Sequence, residues 1–331
     1  MDLTLTEDQQ LVQTTAREFL AGRTGADVWK EIVELGWTGL TVPEAHGGIG
    51  SDFLDACLVA EELGRAGVAT PFAATVAGAA TIARFGTDQQ RQRWLPAIVD
   101  GRAIACPTGG SDLTATPSGD GYLVSGRAQF VPFAAEAADL LVVAGPVAAI
   151  IDGGAPGITR ERLDVVGNEP VYAVTFESVA AESLAEGQAA TAYATVLTCA
   201  EMVGGAQAVL DLTVEYAGQR RQFGVPIGSF QAVQHHCANM AIDVLGSRFA
   251  TYEAAWQLGT ETDAGLAVST AKAVVSDAYQ RVCALGHQVH GAIGFTAEHD
   301  LHRYLRHATA AALAYGDADV HFDRLATGLG L

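Results

Sequence analysis

The sequence predicts an α+β protein in three zones: an N-terminal α-helical domain (1–101), a middle antiparallel β-sheet domain (102–184) and a C-terminal four-helix bundle (185–331). Three observations carry that prediction. Hydrophobic periodicity is helical at both ends of the 331-residue chain. In the middle it changes to short β-branched runs separated by Gly, Pro, Asp and Asn. The strands are bracketed by helices instead of alternating with them, which separates α+β from alternating α/β.

The first helix is announced by "LTEDQQLV", which offers Thr6 as an N-cap with Gln9 three residues on, a capping box; Leu11, Phe19 and Leu20 are expected on one face of it. "WKEIVELGW" predicts a helix ending near Gly36, and Pro43 with Gly47–Gly48 break the chain after it. Further helices end with "TDQQRQRWLPAIVDG". The runs "GYLVSGRAQFVPF", "ADLLVVAG", "AAIID" and "VYAVTFESV" have strand and turn chemistry. Beyond 185 the helical period returns, and Leu245, Phe249, Tyr252 and Trp256 keep i, i+4, i+7, i+11 spacing, one apolar face of a bundle helix.

Composition narrows the function classes. A net charge of −19 argues against nucleic acid, whose phosphates need a basic footprint. No uncharged apolar run reaches the ~18 residues of a membrane span, and the N-terminus lacks the pattern of a signal peptide. Cys57, Cys106, Cys199, Cys237 and Cys283 are scattered with no CxxC pair, which fits reduced thiols in a cytoplasm better than disulfides or zinc. No metal site is expected. The pairs His287/His290 and His299/His302 have i, i+3 spacing but no HExxH partner, so they read as polar surface or capping residues.

Three segments carry possible chemistry. "TGGSD" (108–112) precedes a strand; its amides and Ser111 form a small anion nest or an ordinary turn. "RRQFGVPIGSFQAVQHH" breaks one helix at Gly224, Pro226 and Gly228, offers Ser229 as the next cap, and projects Arg220, Phe223 and Gln231 from a helix junction. Arginine clamps phosphate, phenylalanine stacks on flat rings and glutamine bonds polar edges; a helical hairpin with core aromatics is the plainer alternative. "HQVHGAIGFTAEHDLHRYLRHA" sets Gln288 at a helix end, Gly291 and Gly294 where backbone approaches closely, and Glu298 near the next helix start.

Together these stretches resemble the acyl-CoA dehydrogenase family over nearly the whole chain, with "RRQFGVPIGSFQAVQHH" and "QVHGAIGFTAEHDLHRYLR" the most specific. The resemblance implies FAD as cofactor and α,β-dehydrogenation of an acyl-CoA thioester. A glutamate takes the α-proton, hydride leaves to the flavin, and electrons pass to an electron-transfer flavoprotein. It also implies FAD lying across a subunit boundary. Arg220, Phe223 and Gln231 match the family's cross-subunit "RxxFGxxxxxxQ" contacts, and Gln288 and Gly291 match "QxxGGxG", although Ala292 replaces a glycine.

The flavin half departs from the pattern. Where the family has "TEPxxGSD" this chain has "ACPTGGSD", so Ala105 and Cys106 replace threonine and glutamate, while Ser111 is kept. The aromatic–aliphatic–threonine set that lines the flavin is Phe130, Val131 and Pro132, and proline has neither N–H nor hydroxyl. The catalytic glutamate position falls on Tyr315, whose ordinary pKa near ~10 makes it a poor base. The alternative base position lands near Ala194. The closest carboxylates are Glu186 and Glu201, the latter about two turns or roughly 10 Å along the helix, and a base must come within ~3 Å of its proton.

The resulting expectation is the smaller, non-catalytic chain of a heterotetrameric acyl-CoA dehydrogenase that completes the FAD site of a paired subunit, with a CoA ester of a sterol side chain as the candidate substrate. The alternatives are a homo-oligomeric enzyme whose base is Glu201, a flavin monooxygenase or nitro-compound oxidase on the same fold, and a homologue without flavin.

Overall fold

The computed structural model describes the backbone of residues 4–23, 27–260 and 263–331 and, within those ranges, every side chain except 185–189. The N-terminal helices are α1 (Glu7–Leu20), α2 (Asp27–Glu34), α3 (Phe53–Ala66), α4 (Phe72–Phe85) and α5 (Asp88–Val99). The capping box at α1 forms: Gln9 N donates to Thr6 Oγ1 at 3.2 Å and Thr6 N to Gln9 Oε1 at 3.1 Å. Thr87 and Gln90 repeat the device at α5. The single face expected of α1 does not form. Leu11 is 65% exposed while Leu20 is buried. Nine residues at about 100° each put them on opposite sides of the helix. Phe19 packs edge-on to Trp37 with ring centroids 5.2 Å apart.

The sheet comprises β1 (Ile104–Ala105), β2 (Ser111–Ser118), β3 (Gly121–Pro132), β4 (Asp139–Ala144), β5 (Val147–Asp152), β6 (Ile158–Leu163) and β7 (Val171–Glu186). Its order is β1-β4-β5-β7-β3-β2, with β6 also on β7. Every pairing is antiparallel except that of the two-residue β1 with β4. The long β7 serves both halves of the sheet: 171–176 pairs with β6 and 182–186 with β5. Two buried clusters flank it, one within the sheet around Val124, Val174 and Phe176, the other joining α4 and α5 to β4 and β5 through Ile82, Trp94, Leu95 and Ile150.

The C-terminal helices are α6 (Gly187–Gln219), α7 (Gln231–Thr260), α8 (Gly265–His290), α9 (Leu301–Leu313) and α10 (Ala318–Leu329). The largest core cluster lies between α6–α9 and the N-terminal α1 and α3. The α7 residues divide in their burial. Tyr252 is buried and its hydroxyl donates to Glu61 Oε2 at 2.8 Å, whereas Leu245, Phe249 and Trp256, with Ile242, remain an exposed apolar stripe. Periodicity aligns the residues; it does not say whether another element of the same chain covers them.

The α3–α6 crossing is unusually close. A Cβ on Gly64 would lie 1.9 Å from Glu201 O, and one on Gly204 would lie 1.7 Å from Glu61 O. Only glycine at both positions lets the backbones meet. Beside the crossing, Glu61 accepts from Arg248 Nε at 3.0 Å, and Arg248 Nη2 donates to Gln207 Oε1 at 3.0 Å. A buried carboxylate held by a guanidinium and a phenol costs several kcal/mol to strip of either partner.

Candidate functional site

A cavity of about 540 Å³ opens where α3, α6, α9 and the sheet domain meet. The loop after α3 (67–71), the 108–110 loop, Phe130 and Pro132 of β3, and residues 310–315 at the end of α9 contribute to its walls. Glu201 reaches it from α6, brought there by the close helix crossing. Burial, and after it the neighbouring Glu169 carboxyl, pushes Glu201 up to about 8. Near neutral pH it is therefore mostly the acid form, a hydrogen-bond donor.

Tyr315 occupies the place expected for a catalytic carboxylate and is locked there. Its φ of 60° is left-handed, a conformation that costs a non-glycine residue roughly 1 kcal/mol and is held by its surroundings. Its N–H donates to Thr108 O at 2.5 Å, tying the end of α9 to the glycine-rich loop. Burial raises the Tyr315 hydroxyl well above the ordinary phenol range and pushes the neighbouring Cys106 thiol, which donates to Pro107 O at 3.7 Å, up to about 12. Neither group is a base near neutrality. From below, His321 Nε2 lies 3.2 Å from Tyr315 O, and the wholly buried Lys272 donates to Ala311 O at 3.1 Å and Ala312 O at 2.8 Å.

The 108–110 loop is anchored through Thr108. Thr108 N donates to Phe130 O at 2.8 Å, and Thr108 O is taken by Tyr315. Ser111 is exposed at the start of β2 and does not line the cavity, whereas Phe130 lines it and is 45% exposed. Ala194 is fully buried in the helical core. The side chain of Glu186 lies outside the described residues.

The other segment points away from the cavity. Arg221–Gln222 (β8) and Val225–Pro226 (β9) pair as a two-residue hairpin. Phe223 (φ 52°) and Gly224 (φ 84°) form its tip, the double left-handed geometry of a type I′ turn. Phe223 is 93% exposed, with its ring edge-on to Phe230 at 6.2 Å. Arg220 and Gln231 flank it, both exposed. Ser229 does not cap α7; its hydroxyl donates to Pro226 O at 2.7 Å. Gln288 and Gly291 are exposed at the end of α8.

The histidine pairs divide. His287 and His290 are buried, not on the surface, because each ring bonds back to the carbonyl four residues earlier at 2.8 Å, which spends one polar nitrogen inside the helix. His299 accepts from Leu301 N at 3.1 Å, a capping contact. Among the described residues no group of three His, Cys, Asp or Glu side chains is placed to hold a metal, and no helix is long and apolar enough to cross a membrane. All five cysteines are free. Two cavity contributors carried no sequence signal: Thr70 from the loop before α4, and Glu169 from the loop before β7, which Arg306 clamps by donating to Val166 O at 2.8 Å.

The fit to a flavin nucleotide is divided. The hairpin presents a guanidinium, an aromatic face and an amide, the groups that clamp phosphate, stack on a ring and bond a polar edge. At the positions where flavin-ring donors are expected, the set is depleted. Pro132 has none, Ala105 has no hydroxyl, and the Tyr315 amide is spent on Thr108 O. The acid in this cavity can be tested through stability. Glu201 is raised in the fold, so the stability it contributes is complete below its unfolded value near 4.5 and is lost as pH rises through about 8. Wild type is expected to lose on the order of 5 kcal/mol relative to Glu201→Gln across that interval, read by denaturant titrations at each pH. Parallel curves for the two proteins would show that Glu201 is not held in its acid form.

Comparison with known proteins matches the acyl-CoA dehydrogenase N-terminal domain at residues 6–102 and the acyl-CoA dehydrogenase C-terminal domain at 188–330. The acyl-CoA dehydrogenase IpdE2 of Mycobacterium tuberculosis is 31% identical over 94% of this chain and 93% of its own length. Among solved structures, a variant of the steroid acyl-CoA dehydrogenase Tcur3481–Tcur3483 superimposes with a TM-score of 0.93 at 29% identity, covering 99% of both chains. A chain of the ChsE4–ChsE5 complex from M. tuberculosis gives 0.91 at 28% identity, covering 100% of this chain and 99% of the other. The chain belongs to the acyl-CoA dehydrogenase family, FAD flavoproteins that oxidise acyl-CoA thioesters.

Proposed function

We propose that this acyl-CoA dehydrogenase chain is the non-catalytic subunit of a heterotetramer and completes the FAD site of a paired, catalytic subunit of the same fold. The observation that carries this reading is the contrast between two parts of one molecule. Tyr315 closes the inner wall onto Thr108 and Cys106, while the hairpin holds Phe223 out at 93% exposure. An isolated chain has no reason to keep a large aromatic in water at a left-handed φ; a partner's nucleotide gives it one. Arg220, Phe223 and Gln231 would hold the nucleotide end of that FAD, with Gln288 and Gly291 at a second contact. When bound, FAD supplies the hydride acceptor.

The exposed stripe Ile242, Leu245, Phe249 and Trp256 on α7 gives the partner an apolar face to cover. Substrate preference follows from the likeness to a steroid acyl-CoA dehydrogenase: a CoA ester of a sterol side chain, oxidised in the cytoplasm, with an electron-transfer flavoprotein taking the electrons. The test is flavin counting. Purified with its partner, the protein is expected to hold one FAD per pair of unlike chains, and none when purified alone. A soluble homo-oligomer with one FAD per chain, bleached by acyl-CoA, would overturn the proposal.

A second reading rests on Glu201, which lines the cavity two turns from Ala194 and is held up to about 8, in the range of a working general base. In that reading the chain is a homo-oligomeric enzyme, and Glu201→Gln abolishes turnover. Unchanged turnover removes it.

A further inference from the structure

Stacked rings inside this chain join the two segments read as FAD contacts. Helices α6 and α8 run parallel and close together. A Cβ on Gly205 would lie 2.2 Å from Tyr279 Oη, and one on Gly286 would lie 2.8 Å from Val209 Cγ1 and 3.2 Å from Thr213 Oγ1. One turn further on, the ring of His290 stacks on that of Tyr216, with centroids 4.4 Å apart and planes 19° from parallel. Both helices stop there, α6 at Gln219 and α8 at His290 itself. Arg220 N donates to Tyr216 O at 2.8 Å, which seats the hairpin on the last turn of α6. On the other side Gln288 and Gly291 flank His290, and Gly291 N donates to His287 O.

The buried His290 ring is fixed in its rotation by Nδ1, which lies 2.8 Å from Gly286 O and therefore carries the proton it donates. Nε2 is buried with no hydrogen-bond partner among the described residues, so hydrogen bonding alone does not account for an imidazole here. Burial, first of all, holds His290 below its ordinary value, and the nearby His299 and His287 act in the same direction against the pull of Gly286 O. Near neutral pH the ring is uncharged and stacks as an aromatic. His299 closes over it edge-on at 4.9 Å, and Phe295 lies 4.5 Å from His287. The turn that carries Gly291 is thus packed, ring against ring, onto the helix that leads to Arg220.

We propose that Tyr216 and His290 are a positioning pair whose stack sets the spacing between the hairpin and the α8 turn, so that Arg220 and Gln288 grasp one nucleotide together. The proposal rests on the reading that these two segments hold a partner's FAD. The pair acts through Arg220 and Gln288, not on the flavin. Contacts already held at the right separation bind more tightly because less freedom is lost when the ligand arrives.

The test dialyses the co-purified complex against FAD and reads bound flavin by fluorescence, with melting temperatures taken in parallel. Leucine keeps much of the volume of either ring but has no flat face. His290→Leu and Tyr216→Leu are each expected to weaken FAD binding about tenfold, the upper end of what an aromatic pair contributes. The double variant should also be weakened about tenfold and not a hundredfold, because both substitutions break the same contact. His290→Phe restores the plane and should bind within about threefold of wild type. A stack that serves stability alone would lower the melting temperature and leave FAD affinity unchanged, and that result overturns the proposal. So does a double variant whose losses add. If His290→Leu fails to fold, by circular dichroism, Tyr216→Leu against Tyr216→Phe carries the test, since Tyr216 is only half-buried. Arg220→Ala separates the two readings. FAD lost there but kept by the leucine variants overturns this proposal alone, whereas FAD kept by Arg220→Ala overturns the reading beneath it as well.

Discussion

Changing Phe223 to glycine together with Arg220 to alanine is expected to strip FAD from the co-purified complex, raising its apparent dissociation constant at least about 100-fold, while this chain keeps its own melting temperature. Two losses add. Stacking of a base on an aromatic ring is worth ~1–3 kcal/mol, and a charge-assisted bond to phosphate ~1.5–3 kcal/mol. At about 1.4 kcal/mol per factor of ten, their sum comfortably exceeds two decades at mid-range values. The absence of a stability penalty follows from geometry. Phe223 is 93% exposed and sits at a φ of 52°, so glycine relieves backbone strain and forfeits almost no packing. That separation makes the experiment decisive. A variant with wild-type FAD retention would show that the hairpin does not touch the nucleotide, and the subunit reading would lose its main support. Dialysis against FAD, followed by flavin fluorescence of the protein fraction, reads the outcome.

Gly204→Ala is expected to be the most damaging single methyl in the chain, costing about 3 kcal/mol or more and lowering the melting temperature by several degrees. The added Cβ would lie 1.7 Å from Glu61 O, a backbone atom that cannot rotate away. Relief requires α3 and α6 to separate, and separation pulls Glu61 from Arg248 and Tyr252, whose bonds of 3.0 and 2.8 Å hold its buried carboxylate. Gly218→Ala in the same helix is the control. Nothing lies within 4 Å of its Cβ, so helix propensity alone acts and stability should rise by roughly 0.5–1 kcal/mol. Calorimetry of both variants checks the pair. Equal melting temperatures for Gly204→Ala and wild type would mean that the two helices do not meet as closely as described.

The contrast between α1 and α7 shows where sequence reading works and where it stops. The Thr6–Gln9 capping box is legible because its bonds are local, three residues apart and set by the chain itself. The expected face of α1 fails at Leu11 because apolar residues on a short helix need not all share one side. On α7 the period is right, yet burial differs between Tyr252 and Trp256, since only Tyr252 finds a partner on α3. His287 and His290 have no motif to betray their burial; each ring bonds its own helix backbone, a choice made once neighbours exclude water.

For the site, type and order of residues are enough to predict what is missing. Pro132 has no donor, and Tyr315 is not a carboxylate, in any fold. They are also enough to place Arg220, Phe223 and Gln231 around a helix break, because Gly224 and Pro226 dictate a turn locally. What the sequence could not supply is the cavity. Thr70, Glu169, Glu201 and Ala310 are separated by up to 240 positions (from 70 to 310), and no periodicity links them. Nor could it show that the Tyr315 amide is spent on Thr108, or that Glu201 keeps its proton. Those are consequences of desolvation and distance, which exist only after helices and sheet have packed. The sequence by itself determined the helix–sheet–helix order, the turn between two helices and the absent donors, because each depends on neighbours in the chain. The tertiary structure alone decided which wall is closed, which aromatic faces outward and which acid lines the cavity, because each depends on groups that only folding brings within reach.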